Sequence, residues 1–255
     1  MKKNKVRDIV IDADHILYLV TESQRYKEGF DGDVEDECDD FGEAPKVSLK
    51  KYKQHFKDIV DDYVTTAEVE SICYKWTIGK VRVILSDSRN FRYDLSPTYK
   101  SKRPSSPELR KKLKKWAMKK YTVVPNCEAD EVCCYYVREQ GAIGFTTDKD
   151  VFNTEGKWFN CHHAHKCWVV NSKKDAERFM WLQVLAGDSV DNIDGIKGVG
   201  MATAKKLLDT YGWGWDGVVS AYKSKGLKKA DAVLTRNLVD MTIWTPEDGV
   251  TLHES

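Results

Sequence analysis

The apolar positions of this chain change period several times, and each change marks an element. Val6 to Ile11 is a short apolar run ending on Asp12, which predicts a buried strand followed by a helix from Ala13. Behind Ser48, a good N-cap, Leu49, Tyr52, Phe56, Ile59 and Tyr63 recur at helical spacing and predict a long helix. Val81 to Leu85 reads as a second strand ending at Ser86-Asp87, and Tyr121 to Val124 as a third, closed by Pro125. A helix is expected from near Glu128 to about Gln140. A fourth strand follows from Ala142 to Thr146, with Asp148 and Asp150 directly after it. Strands alternating with helices predict an α/β architecture, a mostly parallel central sheet flanked by helices. From Asp175 onward the pattern is helical. The expected division is an α/β domain over 1–174 and a helical region over 175–255.

Charge changes the picture more than composition does. A chain of 255 residues can bury a sizeable core, and its net charge is only +1. That balance conceals segregation. The run "EGFDGDVEDECDDFGE", Glu28 to Glu43, has no basic residue and is expected to be a loop, because it can bury little apolar area. The run "YKSKRPSSPELRKKLKKWAMKK", Tyr99 to Lys120, sets one acid, Glu108, among ten lysines and arginines. Such a run is either a solvated helix face or the contact surface for a polyanion.

The seven cysteines form no C-x-x-C, and no apolar stretch approaches the roughly 20 residues of a membrane span. A reduced, cytoplasmic protein away from membranes is expected. In "CHHAHKC", Cys161, His163, His165 and Cys167 would share one face of a strand, a conceivable zinc set. Spread over about 20 Å they cannot surround one ion unless the run folds back, so a surface β-hairpin is the preferred reading.

The acids carry the chemistry. Asp12, Asp87, Asp148 and Asp150 stand at the carboxyl ends of predicted strands, the edge where open α/β sheets bind ligands. Glu128, Asp130 and Glu131 open a helix near that edge. Each acid alone suits a turn or a first helical turn. Together they would repel and raise one another's pKa unless divalent cations neutralise them, and an oxygen-rich set suits Mg²⁺ or Mn²⁺. Two such ions can clamp a phosphodiester. The stretch "GDSVDNIDGIKGVGMATAKKLL" adds Asp188 and Asp191. Its Gly198-Val199-Gly200 turn opens a helix whose free N–H groups face outward, suited to a nucleic-acid phosphate.

With these motifs assembled, the chain resembles the 5′-nuclease superfamily from Ile9 to about Leu208: flap endonucleases, the 5′-nuclease domain of bacterial DNA polymerase I, and phage 5′→3′ exonucleases. "GDSVDNIDGIKGVGMATAKKLL" is similar to the family's helix–three-turn–helix, here about 176–211, "CEADEV" to its E-A-D-D block, and "TTDKD" to its D-x-D. "SDSRNFRYDLSPTYKSKRP" looks most like the phage exonucleases, with their Y-K-x-x-R motif.

The resemblance implies a PIN-like 5′-nuclease fold with a helical arch at about 96–120. It implies one metal site from Asp12, Asp87, Glu128 and Asp130 with Glu131 nearby, and a second from Asp148, Asp150 and Asp188 with Asp191. It gives Lys100 and Arg103 to the scissile phosphate. DNA contacts are expected at Tyr99, Lys102, Lys111, Lys114, Lys115, Gly198, Gly200, Thr203 and Lys205, with K⁺ held by backbone oxygens near Gly198 and Gly200. The implied partner of this monomer is DNA with duplex ends, nicks or 5′ flaps, and RNA–DNA hybrids as a further substrate.

The chain departs from the family pattern at Glu131, where Asp is usual, and at Gln183, where Lys or Arg is common, so that a phosphate contact is expected to be missing. Asp14 is an extra acid. Two other readings compete. In a haloacid-dehalogenase-like phosphatase, Asp12 would be the nucleophile and Asp14 the acid/base. The third reading is a structure-specific DNA-binding protein without catalysis, against which the full set of acids speaks.

Overall fold

The computed structural model describes residues 5–27, 49–162 and 166–254. Ser48, the acidic run 28–43, and His163 and His165 lie outside the described residues. The sheet is built from β1 (Lys5–Asp12), β2 (Trp76–Leu85), β3 (Thr122–Val123), β4 (Ile143–Thr146), β5 (Gly156–Asn160) and β6 (Cys167–Asn171). Its spatial order is β3-β2-β1-β4-β5-β6, parallel throughout except for the antiparallel β5–β6 pair. Each predicted strand is present. β2 begins earlier than its apolar run suggests, because residues 76–78 pair with Lys5–Arg7 at the start of β1, ahead of a register shift.

Strand alternation sorts side chains to two covered faces. Ile9, Ile11, Val83 and Leu85 face one cluster and Val10 and Ile84 the other. The first face is covered by α1 (Asp14–Lys27), the long α2 (Leu49–Tyr74) and α4 (Glu108–Lys120). Tyr52, Phe56 and Tyr63 of α2 are buried there as their spacing predicts, with Ile59 half-buried and Val60 and Ala67 completing the stripe. The second face is covered by α5 (Ala129–Gln140) through Val132, Cys133 and Val137. β1 lies between β2 and β4, whose helices fall on opposite faces, so the carboxyl ends of β1 and β4 border the topological switch point where such sheets open a crevice.

The short helix α3 (Arg92–Leu95) leads to an irregular exposed segment and then to α4. The stretch expected as an arch is therefore divided. Residues 101–108 are exposed, whereas α4 buries Leu113 and Ala117 in the core and sets Trp116 edge-on to Phe56.

The last third is not purely helical, as its pattern had suggested. Between α6 (Lys173–Ala186) and α7 (Met201–Tyr211) stands a two-stranded ribbon, β7 (Gly187–Asp188) with β8 (Ile193–Asp194). A second ribbon, β9 (Trp244–Thr245) with β10 (Gly249–Val250), follows α8 (Trp215–Ser224) and α9 (Lys229–Val239). α6 to α9 share one core with Tyr99, Val184, Leu208, Val218 and Leu238. The hairpin expected around "CHHAHKC" forms as β5–β6, with Cys161 buried and Cys167 exposed.

Candidate metal centre

A cleft of about 660 Å³ opens at the switch point. It is lined by Asp12, Asp87, Glu128, Asp130, Asp148, Asp150 and Asp191, by Lys100, Arg103, Lys111 and Lys114, and by the extra acid Asp14. The strand ends deliver the acids. Asp12 closes β1, buried at 3% exposure, and accepts hydrogen bonds from the Thr146 hydroxyl (2.9 Å) and the Asp14 N–H (3.0 Å). Asp87 follows β2 and accepts from the N–H groups of Ser88 (2.6 Å) and Asn126 (2.9 Å), fastening this loop to the one before α5. Thr146 at the end of β4 also receives the Asp148 N–H at 3.0 Å, and Asp148 in turn receives the Asp150 N–H at 2.8 Å.

Electrostatics separates these acids. Glu128 sits at the N-terminus of α5 with Lys100 and Arg92 beside it and the Tyr99 hydroxyl donating at 2.7 Å. Burial works against its charge, but these partners hold its pKa down at about 2. Among the described residues Asp130 has no such ion pair or hydrogen bond, and Lys100 only partly offsets its neighbours. Burial, then the charges of Asp12, Asp148 and Glu128, pushes it well above the usual carboxylate range. Asp148 is raised by burial and by Asp12, and Asp150 reaches about 7 through burial and its neighbours Asp148 and Asp188. The cleft thus carries more negative charge than its protein cations neutralise. That excess, presented on hard oxygen donors, fits divalent ions. Among the described residues no three potential ligands already close into a preformed metal cage.

Several expected site residues stand elsewhere. Glu131 is fully buried below the cleft, ion-paired with Arg92 and accepting the Glu128 N–H at 3.1 Å, so it supports Glu128 rather than facing an ion. Asp188 does not line the cleft. It caps its own loop through the N–H groups of Val190 (2.8 Å) and Asp191 (3.3 Å), with Lys149 at 3.3 Å. Tyr99 is 2% exposed, and its hydroxyl serves Glu128 and, at 3.3 Å, Asp191 instead of facing an open surface. Gln183, which departs from the family pattern, is buried and donates to Asp150 at 2.6 Å.

Lys100 and Arg103 do reach the cleft. Lys100 adopts a left-handed backbone (φ 54°), and its ammonium is held by Glu128 and, at 3.5 Å, by Asp191. Burial lowers its pKa, but those carboxylates outweigh it and keep the group charged. Arg103 pairs with Asp191 and is partly exposed. The Lys100 N–H also donates to the Asp191 carbonyl at 2.8 Å, joining this segment to the β7–β8 loop. Lys114 lies 4.0 Å from Asp14 on the cleft wall, while Lys102, Lys115 and Lys205 are exposed outside it.

In the turn before α7 only Gly198 has positive φ, at 76°; Gly200 is the N-cap at φ −96°, a backbone any residue adopts. Thr203 is exposed in the first turn of α7. Arg92, Asn153 and His15, whose ring lies 3.7 Å from Asp12, escaped the sequence reading. Nothing local distinguishes a buried arginine or asparagine from a solvated one.

No family model matches the chain. It is 29% identical over 148 residues to a DNA polymerase I of Rhizobium leguminosarum, a match covering 49% of this chain and 14% of that protein. It is 28% identical over 165 residues to a 5′-3′ exonuclease of Buchnera aphidicola, covering 56% of this chain and 57% of that protein. The match therefore spans a little over half of the exonuclease and a small part of the polymerase. Among solved structures, a phage T5 protein co-crystallised with metal ions superposes with a TM-score of 0.62 at 14% identity, over 92% of this chain and 90% of that one. The T5 5′-exonuclease with bound zinc gives 0.58 at 16% identity, over 92% and 90%. A T5 flap endonuclease in a pseudo-enzyme–product complex with DNA and metal ions gives 0.59 at 15% identity, over 92% and 89%. This chain thus has the fold of the phage T5 5′-exonuclease.

Proposed function

We propose that the chain is a divalent-metal-dependent phosphodiesterase that cuts DNA at 5′ ends, as a 5′→3′ exonuclease and flap endonuclease. One observation carries the reading. Asp12, Glu128, Asp130, Asp148 and Asp150 converge at the switch point with three of the five raised in pKa, and cationic side chains border the same cleft. Divalent ions bound there would activate water and stabilise the leaving oxygen. Asp12, Asp87, Glu128 and Asp130 would hold one, and Asp148, Asp150 and Asp191 the other, with Asp188 acting through the loop it caps.

Lys100 and Arg103 meet the reacting phosphate and stabilise charge developing on it. Lys111 and Lys114 guide the strand along the wall formed by α4. The Gly198 turn and the first turn of α7 receive the backbone of flanking duplex. Mg²⁺ or Mn²⁺ as the ions, K⁺ near Gly198 and Gly200, RNA–DNA hybrids as further substrates, a monomeric state and a cytoplasmic location are finer parts of the same reading. The phosphatase alternative rests on Asp12 and Asp14 and leaves Lys100, Arg103, Lys111 and Lys114 on the cleft wall, and the Gly198 turn, without a task.

The test is cleavage of 5′- and 3′-labelled duplex, nicked and flap DNA with Mg²⁺ or EDTA. Cutting from 5′ ends only with the metal is expected, and Asp130→Asn should lower turnover at least about a hundredfold while DNA affinity holds or tightens. Full activity in EDTA, or in that variant, would overturn the reading.

A further inference from the structure

The two sides of the acid cleft share one buried anchor, and it lies far from both in sequence. At the C-terminal end of α9 the carbonyls of Leu238, Val239 and Asp240 have no further helical turn whose N–H groups would donate to them. Two buried side chains occupy them. Arg92, with 0% exposure, donates from Nε to the Leu238 carbonyl at 2.7 Å and from a terminal nitrogen to the Asp240 carbonyl at 3.4 Å. Its other terminal nitrogen pairs with Glu131 and lies 3.5 Å from Glu128. Asn153, with 4% exposure, donates from Nδ2 to the Val239 carbonyl at 2.7 Å and approaches the Gln183 side-chain oxygen Oε1 at 3.5 Å. Gln183 then donates to Asp150 at 2.6 Å.

We infer that the end of α9 acts as a common positioning anchor for the acids of both halves of the centre: through Arg92 for Glu128, and through Asn153 and Gln183 for Asp150. Arg92, Asn153 and Gln183 are positioning residues; none of them lines the cleft. A guanidinium suits this task because its planar fork addresses a carboxylate and two carbonyls in fixed directions, which an ammonium cannot. An uncharged amide suits Gln183, since it orients Asp150 without neutralising the charge that an ion would meet. Because α9 packs on α6 and α8 in the helical region, the geometry of the acids is tied to the docking of that region.

This inference rests on the proposed metal-dependent chemistry, so its test reads the ions as well as the cutting. Gln183→Met keeps shape and loses the donor; Arg92→Lys keeps charge and loses the fork. Circular dichroism and melting establish that each is folded. Mn²⁺ binding by electron paramagnetic resonance and Kd for nicked duplex are then measured beside kcat and KM.

The expectation for Gln183→Met is Mn²⁺ affinity and kcat each down about tenfold, with Kd for DNA within about twofold of wild type. Arg92→Lys should do the same, and if it fails to fold, Gln183→Met decides alone. Unchanged metal affinity and kcat in a folded Gln183→Met overturns the anchor while leaving the functional reading intact. Equal losses in DNA affinity and turnover also overturn it, because they mark a general structural defect. A wild-type chain that neither binds Mn²⁺ nor cuts DNA overturns the functional reading and the anchor with it.

Discussion

At the scale of single residues the centre is a contrast between acids with partners and acids without. Glu128 receives the Tyr99 hydroxyl, Lys100 and Arg92, whereas Asp130 receives repulsion from its neighbours. Tyr99 therefore belongs to the centre through a hydrogen bond and not to a DNA surface. Tyr99→Phe should leave DNA affinity unchanged and lower kcat about fivefold, the worth of roughly 1 kcal/mol for one buried hydrogen bond. Steady-state kinetics beside equilibrium binding checks this, and a change confined to affinity would restore Tyr99 as a DNA contact. Lys111 is exposed on the cleft wall and should behave in the opposite way. Lys111→Ala should weaken binding across sequences and reduce the log–log salt slope by about one, with kcat at saturation nearly unchanged.

At the scale of elements the turn between α6 and α7 separates glycines that the chain needs from glycines that it tolerates. A Cβ on Gly187 would lie 2.3 Å from the Ile193 carbonyl oxygen, and one on Gly195 would lie 2.4 Å from the Gly187 nitrogen. The β7–β8 ribbon closes only because both lack one. Gly187 also holds φ 70°, so Gly187→Ala meets both backbone contact and strain. It should cost on the order of 2–4 kcal/mol, read as a fall in the denaturation midpoint. Gly198→Val meets open space but retains φ 76°, and should cost about 1–2 kcal/mol while weakening duplex binding. Gly200→Ala has neither problem and should be close to neutral in stability. If Gly187→Ala melts like wild type, the ribbon does not have the close approach described.

At the scale of the whole molecule the pH dependence of stability follows from two groups of shifted acids. Asp240 is buried, yet hydrogen bonds from His253 and Thr242 outweigh burial and hold its pKa below the ordinary value. A depressed acid stabilises the fold above its unfolded pKa, about 4, and that contribution is lost as pH falls through the folded value. Asp130, Asp148 and Asp150 are raised, Asp150 to about 7, so ionising them above about 4 costs stability instead. Without divalent ions the melting temperature should therefore rise as pH falls from about 8 toward 5, then fall below about 4. Mg²⁺ at pH 8 should raise it and flatten the first rise, because bound ions replace protons as the neutralising charge. Melting curves at both pH values with Mg²⁺ or EDTA give the answer, and no dependence on Mg²⁺ would remove the acids of the cleft as its cause.

Local period and position made part of this molecule legible from the chain alone. The apolar runs of β1, β2 and β4 and the helical spacing of Tyr52, Phe56 and Tyr63 report burial directly, since a side chain's face follows from backbone geometry. Acids standing directly after strands could be placed at one sheet edge before any partner was known, and Asp12, Asp87, Asp148 and Asp150 meet there. The direction of each side chain and its distant partner emerged only with the folded chain. Glu128 and Glu131 are one helical turn apart, yet one faces the cleft and the other faces Arg92. Tyr99 and Lys100 are adjacent, yet one is sealed beneath Glu128. Arg92 meets the Leu238 carbonyl across 146 residues of chain, a bond that no local pattern encodes. It forms because a buried guanidinium and the open end of a helix each need partners that water can no longer supply.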